Sequence, residues 1–91
     1  LPIYCIDRKV MLAFSYPKEA MEKNIQGKIL VHYIIDKNGK IIVEKVEGEA
    51  ILAAEGRRIF ESFSTFSPAK NHNNEPIAVK GIYPINFKLQ Q

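Results

Sequence analysis

The stretch VKGIYPINFKLQ, residues 79–90, has the clearest strand pattern in the chain. One set of alternate positions holds Val79, Gly81, Tyr83, Ile85, Phe87 and Leu89, and the other holds Lys80, Ile82, Pro84, Asn86, Lys88 and Gln90. This alternation predicts a half-buried β-strand. Pro84 lies in its middle, although proline cannot donate to a sheet ladder and is confined to edges, strand starts and bulges. The stretch is therefore predicted to be an edge strand.

A central strand and a hairpin are predicted upstream. Residues 28–35, KILVHYII, are apolar on both faces and rich in β-branched and aromatic side chains, which favours a central strand. Asn38-Gly39 follows, and this pair is a strong hairpin signal because both residues tolerate positive φ. Residues 41–46 are the returning strand. The final strand, 77–89, is then placed beside 28–35, on its other side.

Two helices complete the fold. Tyr16-Pro17-Lys18-Glu19-Ala20 is predicted to begin the first, because proline is favoured at the first helical position, and Gly27 is predicted to end it. The second covers 49–63, where apolar residues recur at spacings of three and four. Gly56, inside it, costs about 1 kcal/mol relative to alanine. We therefore expect close approach of this helix to the sheet.

The predicted fold class is α+β, with two helices packed on one face of a three-stranded antiparallel sheet. The 91 residues are enough for one small core. Residues 1–14 are expected to be an N-terminal arm or short hairpin, 15–91 the folded domain, and 67–76 a polar loop. The chain begins with leucine, so we expect a processed or excised piece with any signal peptide or anchor upstream.

Composition and spacing argue against several function classes. The net charge of +3 is mild, and the lone Cys5 offers neither a disulfide nor zinc-ligand spacing. His32 and His72 are far apart, and Ser62, Ser64 and Ser67 lack a nucleophile elbow. The chain is therefore predicted not to be an enzyme and to need no cofactor or metal.

A nucleic-acid-binding sheet is also disfavoured. RNA-binding modules of this architecture place aromatic residues on an open sheet face among basic residues. Here Tyr83 and Phe87 share a face with Ile85 and Leu89, and the basic residues are scattered. These aromatic side chains are therefore predicted to belong to the core, and no nucleic-acid partner is expected.

An ordered series of short motifs resembles a known family. The series is Tyr16-Pro17-x-x-Ala20, Ile25-x-Gly27-Lys28-Ile29-x-Val31, Ile35-Asp36-x-x-Gly39-Lys40-Ile41, Phe66-Ser67-Pro68-Ala69-Lys70, Ile77-x-Val79 and Tyr83-Pro84-Ile85-x-Phe87-x-Leu89. It resembles the C-terminal domain of the TonB family, especially the small TonB-like proteins of Bacteroidetes, over residues 15–90.

The resemblance implies a periplasmic protein-binding module of an energy transducer. In that family the domain adds the "TonB box" of outer-membrane transporters as a further strand, a β-augmentation, and so couples the inner-membrane proton-motive force to uptake. The implied partners are outer-membrane TonB-dependent transporters and, through an N-terminal part missing from this chain, the inner-membrane proton-channel complex. That missing part would also tether the domain to the inner membrane.

The resemblance also gives the expected peptide-binding residues. They are Ile82, Tyr83, Pro84, Ile85, Asn86, Phe87 and Lys88 of the edge strand, with Tyr16 and Pro17 near the interface. The stretch Leu12-Ala13-Phe14-Ser15 departs from the family, whose best-known member is glutamine-rich there. It is expected to pack on the domain or to mediate self-association. The alternative function is a structural or sensory periplasmic domain that forms a homodimer through edge 82–88.

Overall fold

A computed structural model of the chain describes residues 3–63 and 66–89. Its helices are α1 (Ile3–Ala13), α2 (Lys18–Glu22) and α3 (Ala50–Glu61). Its strands are β1 (Gly27–Ile35), β2 (Ile41–Glu47), β3 (Ala69–Lys70), β4 (Pro76–Ile77) and β5 (Val79–Phe87). Ser64, Gln90 and the side chain of Cys5 lie outside the described residues.

The main sheet is antiparallel, with strand order β2-β1-β5. The prediction that residues 28–35 are central and that the last strand is an edge is confirmed. β1 and β5 pair without interruption, from Ile35 opposite Val79 to Gly27 opposite Phe87. Pro84 lies opposite Leu30. Because proline has no N–H, this pair must be a non-hydrogen-bonded one, and Pro84 costs the ladder nothing.

The opposite edge, β2, is irregular. His32 pairs with Lys45 and Tyr33 with Val43, so Glu44 is an extra residue on β2. A bulge of this kind bends and twists a strand, which is one way in which proteins make an edge unsuitable for further pairing. The two edges of the sheet therefore differ, and only β5 has a regular register.

The turn between β1 and β2 forms a hairpin as predicted, but with a different geometry. Gly39 has positive φ (82°), whereas Asn38 does not. The Asp36 carboxylate accepts hydrogen bonds from the backbone N–H groups of Asn38 and Lys40, each at 2.9 Å. The Asp36 side chain and Gly39 together shape this turn.

The core lies between one face of the sheet and the helices. Its largest fully buried side chains are Phe60, Phe87, Ile29, Ile35, Leu52, Ile59 and Val31. Leu30, His32 and Ile34 point to the opposite face of β1, where they are only half-buried. The apolar character of both faces of β1 thus indicated its central position, although the helices of the described residues pack on one face alone.

The N-terminal segment is a helix, so the hairpin alternative for residues 1–14 is wrong for the described part of that segment. Ile6 and Val10 are 3% and 7% exposed, and they lie one helical turn apart. The described part of the chain therefore has three helices on the core side of the sheet, where two were expected. The spacing Ile6, Val10, Phe14 was the helical signal that the expectation of an arm or hairpin overlooked.

α2 is shorter than expected, and Gly27 does not end it. Pro17 precedes the helix, with φ −59° and ψ 133°, rather than occupying its first turn. Asn24 adopts a left-handed φ of 54°. The N–H groups of Asn24 and Ile25 donate to Met21 and Ala20 at 3.2 Å and 2.8 Å. This is a Schellman ending, in which Asn24 takes the usual glycine position.

The C-terminal third also differs in detail. α3 ends at Glu61, earlier than the predicted 63. The predicted polar loop 67–76 contains a small ladder in which Ala69 pairs with Ile77 and Lys70 with Pro76. The final strand covers Val79–Phe87 rather than 77–89, because Ile77 belongs to this separate ladder.

Gly56 lies where α3 approaches the sheet most closely. A Cβ atom there would be 2.2 Å from Ile29 Cδ1 and 3.3 Å from Val31 Cγ2. Both neighbours belong to side chains that are fully buried. The predicted close approach is confirmed.

We expect Gly56→Ala to destabilise the domain. Overpacking costs about 1–3 kcal/mol, and the gain in helix propensity offsets about 1 kcal/mol of it. The free energy of unfolding, measured in urea, should fall. The double variant with Ile29→Val removes the clashing Cδ1, so its loss should be smaller than the sum of the two single losses. Strictly additive losses would contradict this account of Gly56.

Candidate functional site

Within residues 3–63 and 66–89, no strand pairs with the outer edge of β5, so its backbone groups there are free. Residues of an antiparallel strand alternate between those that bond one neighbour and those that face the other side. Because Pro84 faces away from β1, Ile82 and Asn86 also face away from it. The free edge therefore offers the N–H groups of Ile82 and Asn86 and the carbonyls of Ile82, Pro84 and Asn86.

The side chains of the predicted site residues divide between two faces. Ile85 and Phe87 are buried at 5% and 0% exposure, and Tyr83 is half-buried beside Phe60, with ring centroids 5.7 Å apart. Ile82 is 58% exposed, and Pro84 and Asn86 are also exposed. Lys88 follows the end of the strand. The inward side chains thus hold β5 in place, while the backbone of the outward residues is free.

Tyr16 and Pro17 lie in different surroundings. The Tyr16 ring packs edge-on against Phe87 with centroids 5.5 Å apart, and its hydroxyl donates to the Ile25 carbonyl. Pro17 lines a separate depression with residues of α3, including Arg58. Tyr16 therefore supports the C-terminal end of β5, whereas Pro17 faces the α2–α3 side.

A groove lies between α1 and β5, and this part of the site was not predicted from the sequence. Its volume is about 490 Å³. Asp7, Val10 and Met11 of α1, with Phe14 just after it, form one side, and residues 83–86 form the other. Met11 is 75% exposed and Phe14 is 38% exposed. An apolar wall thus stands beside the free ladder.

Polar contacts fix the C-terminal end of α1. Arg58 donates to the Ala13 carbonyl at 2.8 Å and to both carboxylate oxygens of Glu55 at 2.8 Å and 2.6 Å. Glu55, only 9% exposed, also accepts the backbone N–H of Ser15 at 3.2 Å. In addition, the Tyr83 hydroxyl donates to Asp7 and so joins α1 to β5 directly.

The family model for the Gram-negative bacterial TonB protein C-terminal matches residues 13–89. The chain belongs to this family. A comparison with curated protein sequences gave no match. The family is a periplasmic and non-enzymatic one. The match begins at the last residue of α1, so most of this helix precedes the family region of the TonB C-terminal domain.

In this TonB C-terminal domain, the histidine and serine residues considered as catalytic candidates make structural contacts or lie exposed on the surface. His32 pairs with Glu47 across the outer sheet face, and its hydrogen bond is the main cause that lowers the pKa of Glu47. The Ser62 hydroxyl donates to the Ile59 carbonyl at 2.6 Å, at the end of α3. His72 is exposed in the turn between β3 and β4.

The described ranges, 3–63 and 66–89, contain no group of three or more potential metal-ligating side chains. None of the helices in these ranges is both long enough and apolar enough to cross a bilayer.

The ionisation of the Tyr83 hydroxyl should report the contact between α1 and β5. Burial first, then the hydrogen bond to Asp7, raises the pKa of Tyr83 above its usual value of 10.0. The folded state thus favours the neutral hydroxyl. This contribution to stability is complete below pH ~10 and is lost as the pH rises through the folded-state pKa.

An absorbance titration of the tyrosines checks this expectation. The component that ionises latest should disappear in Tyr83→Phe. In Asp7→Asn it should move to lower pH without reaching the usual tyrosine value, because burial remains. An alkaline titration that is identical in wild type and Tyr83→Phe would show that Tyr83 is not held in this way.

Proposed function

We propose that this domain is the protein-binding module of a TonB-like energy transducer. It pairs β5 with the TonB box of outer-membrane transporters and so couples the inner-membrane proton-motive force to uptake. The observation that carries the proposal is the regular edge strand β5, which pairs with β1 alone among the described residues, in a member of the TonB C-terminal family. Main-chain hydrogen bonds supply affinity in such β-augmentation and tolerate varied peptide sequences.

The choice of β5 over β2 follows from the two edges. The extra residue Glu44 interrupts the ladder register of β2. β5 pairs regularly along its length, and Pro84 removes only one donor from its free side. A proline at that place limits indiscriminate edge pairing while the N–H groups of Ile82 and Asn86 stay available for one partner.

The proposed roles of the site residues follow from their orientation. Backbone groups of Ile82, Pro84 and Asn86 bind the added strand. Tyr83, Ile85 and Phe87 position β5 through the core, and Tyr16 supports its end. For Lys88 and Pro17 a direct contact with the transporter stays a prediction.

The proposal extends to the cellular setting. The domain acts in the periplasm as a non-enzymatic binding protein without a cofactor, and it has no nucleic-acid partner. A segment outside this chain tethers it to the inner membrane and contacts the proton-channel complex there. The family supports the periplasmic setting.

Calorimetric titration with TonB-box peptides from transporters of the same organism tests the proposal. A second set of peptides carries N-methyl groups, which remove single backbone donors without changing side chains. N-methylation at alternate positions, those facing β5, should weaken binding strongly, whereas methylation at the intervening positions should have little effect. Equal effects at both sets of positions, or no binding by any peptide, would overturn the proposal.

Self-association through β5 is the second candidate, favoured by the exposed Ile82 beside the free ladder. In a dimer each copy would contribute its own Pro84, so two N–H donors would be missing from the shared ladder. A copy paired with a proline-free peptide would lack only one. This comparison favours the peptide. Sedimentation across a concentration range separates the two, since a tight dimer that excludes peptide would support self-association.

A further inference from the structure

We propose that α1 and β5 together form a side-chain groove that selects peptides with apolar residues at alternate positions. This inference rests on the proposed function and adds to it the class of sequence that the site prefers. Backbone pairing alone has little sequence preference, because every residue except proline offers the same groups. Side-chain contacts with α1, beside the backbone edge of β5, supply the sequence preference that backbone pairing lacks.

The geometry of a sheet determines which peptide residues enter the groove. A strand added to β5 would lie about 4.8 Å from it, with side chains alternating between the two faces. Peptide residues opposite Tyr83 and Ile85 point to the same face as those side chains, which is the helix side. These two positions, separated by one residue, lie directly at the groove between α1 and residues 83–86.

The two ends of the groove differ chemically. Asp7 accepts the Tyr83 hydroxyl at one end, and Phe14 packs on Phe87 at the other, with ring centroids 5.1 Å apart. α1 therefore runs in the same direction as β5. The wall between these ends is formed by Val10 and Met11. A peptide side chain opposite Ile85 should be apolar, and an acidic side chain opposite Tyr83 should be repelled by Asp7.

An added peptide strand should occupy the groove, because the groove lies directly beside the outer edge of β5. Arg58 and Glu55 hold the end of α1, so the wall exists before any peptide arrives. Met11 remains 75% exposed in the free domain. A strand paired with β5 would cover Met11 with its alternate side chains, which gives this exposed residue a partner of defined chemistry.

Two neighbouring residues of α1 provide a matched test. Met11 and Leu12 are exposed at 75% and 78%, and of the two Met11 lines the groove. The probe is a capped synthetic peptide of alternating valine and threonine, about six residues long, the usual length of a strand. Its affinity is measured by NMR titration for wild type, Met11→Glu and Leu12→Glu. Because both sites are exposed, neither variant should unfold.

The expected result is selective. Met11→Glu should weaken binding of the alternating peptide by about tenfold, since a charge would face an apolar side chain. Leu12→Glu should change it by less than about twofold, as surface substitutions usually do. A peptide of the same composition, with its valines in one block, should bind wild type more weakly than the alternating one.

Other results would decide whether the groove proposal, the edge-pairing function or both fail. If wild type binds at β5 but Met11→Glu and Leu12→Glu bind equally well, the groove proposal fails and the edge-pairing function stands. If the amide signals of α1 show that the helix unfolds when peptide binds, α1 is not the wall and the groove proposal also fails. If wild type binds TonB-box peptides nowhere on β5, both proposals fail together.

Discussion

Replacing Ile82 by proline is expected to weaken peptide binding at least about tenfold while the domain stays folded. The N–H of Ile82 faces away from β1, so its loss removes no bond of the existing sheet. On the free side it removes a donor next to the gap that Pro84 already leaves. One backbone bond is worth about 1 kcal/mol, and the proline ring would also crowd the added strand. We expect the dissociation constant to rise by about tenfold or more.

Ile82→Thr is the control for this change. Threonine keeps the backbone N–H and suits a strand, so binding should stay close to that of wild type. Both variants should keep the dispersed NMR spectrum of a folded domain. Wild-type affinity in a folded Ile82→Pro variant would show that the backbone of β5 does not bind the peptide.

Phe87→Ala should have the largest effect on stability. Phe87 is fully buried and packs against Phe14 and Tyr16, with ring centroids 5.1 Å and 5.5 Å apart. Truncating a buried phenylalanine costs about 3–5 kcal/mol, a large part of the ~5–15 kcal/mol that stabilises a typical domain. The urea unfolding midpoint should fall sharply.

The exposed neighbour Asn86 supplies the comparison, because Asn86→Ala should change stability by no more than about 0.5 kcal/mol. The sequence predicted a core position for the Phe87 side chain, which the structure confirms, and a peptide-binding role for Phe87 within the edge strand, which stays a prediction. A Phe87→Ala variant that keeps its stability and loses peptide affinity would contradict this structural role.

Much of the sheet could be predicted from local signals. The apolar run 28–35 indicated a central strand, and Pro84 indicated an edge, because backbone donors and burial impose these patterns directly. The role of Gly56 was also predictable, since a glycine inside an amphipathic helix needs a packing reason. Each of these inferences used properties that depend on sequence neighbours alone.

The groove could not be predicted in the same way. It requires that α1 lie beside β5, and this depends on contacts between residues distant in sequence, such as Asp7 with Tyr83 and Arg58 with Ala13. The helical spacing of Ile6, Val10 and Phe14 was visible in the sequence, but the polar Asp7-Arg8-Lys9 between apolar segments suggested a turn. The inward orientation of Phe87, in contrast, was predicted from the alternation within residues 79–90.

Amide hydrogen exchange with and without a TonB-box peptide tests the central claim most directly. In the free domain the amides of Ile82 and Asn86 face the open edge, whereas those of Tyr83 and Ile85 are already bonded to β1. Peptide binding should therefore slow exchange at Ile82 and Asn86 selectively, in this alternating pattern. Protection that appears along β2 instead, or none at Ile82 and Asn86 at saturating peptide, would contradict the account.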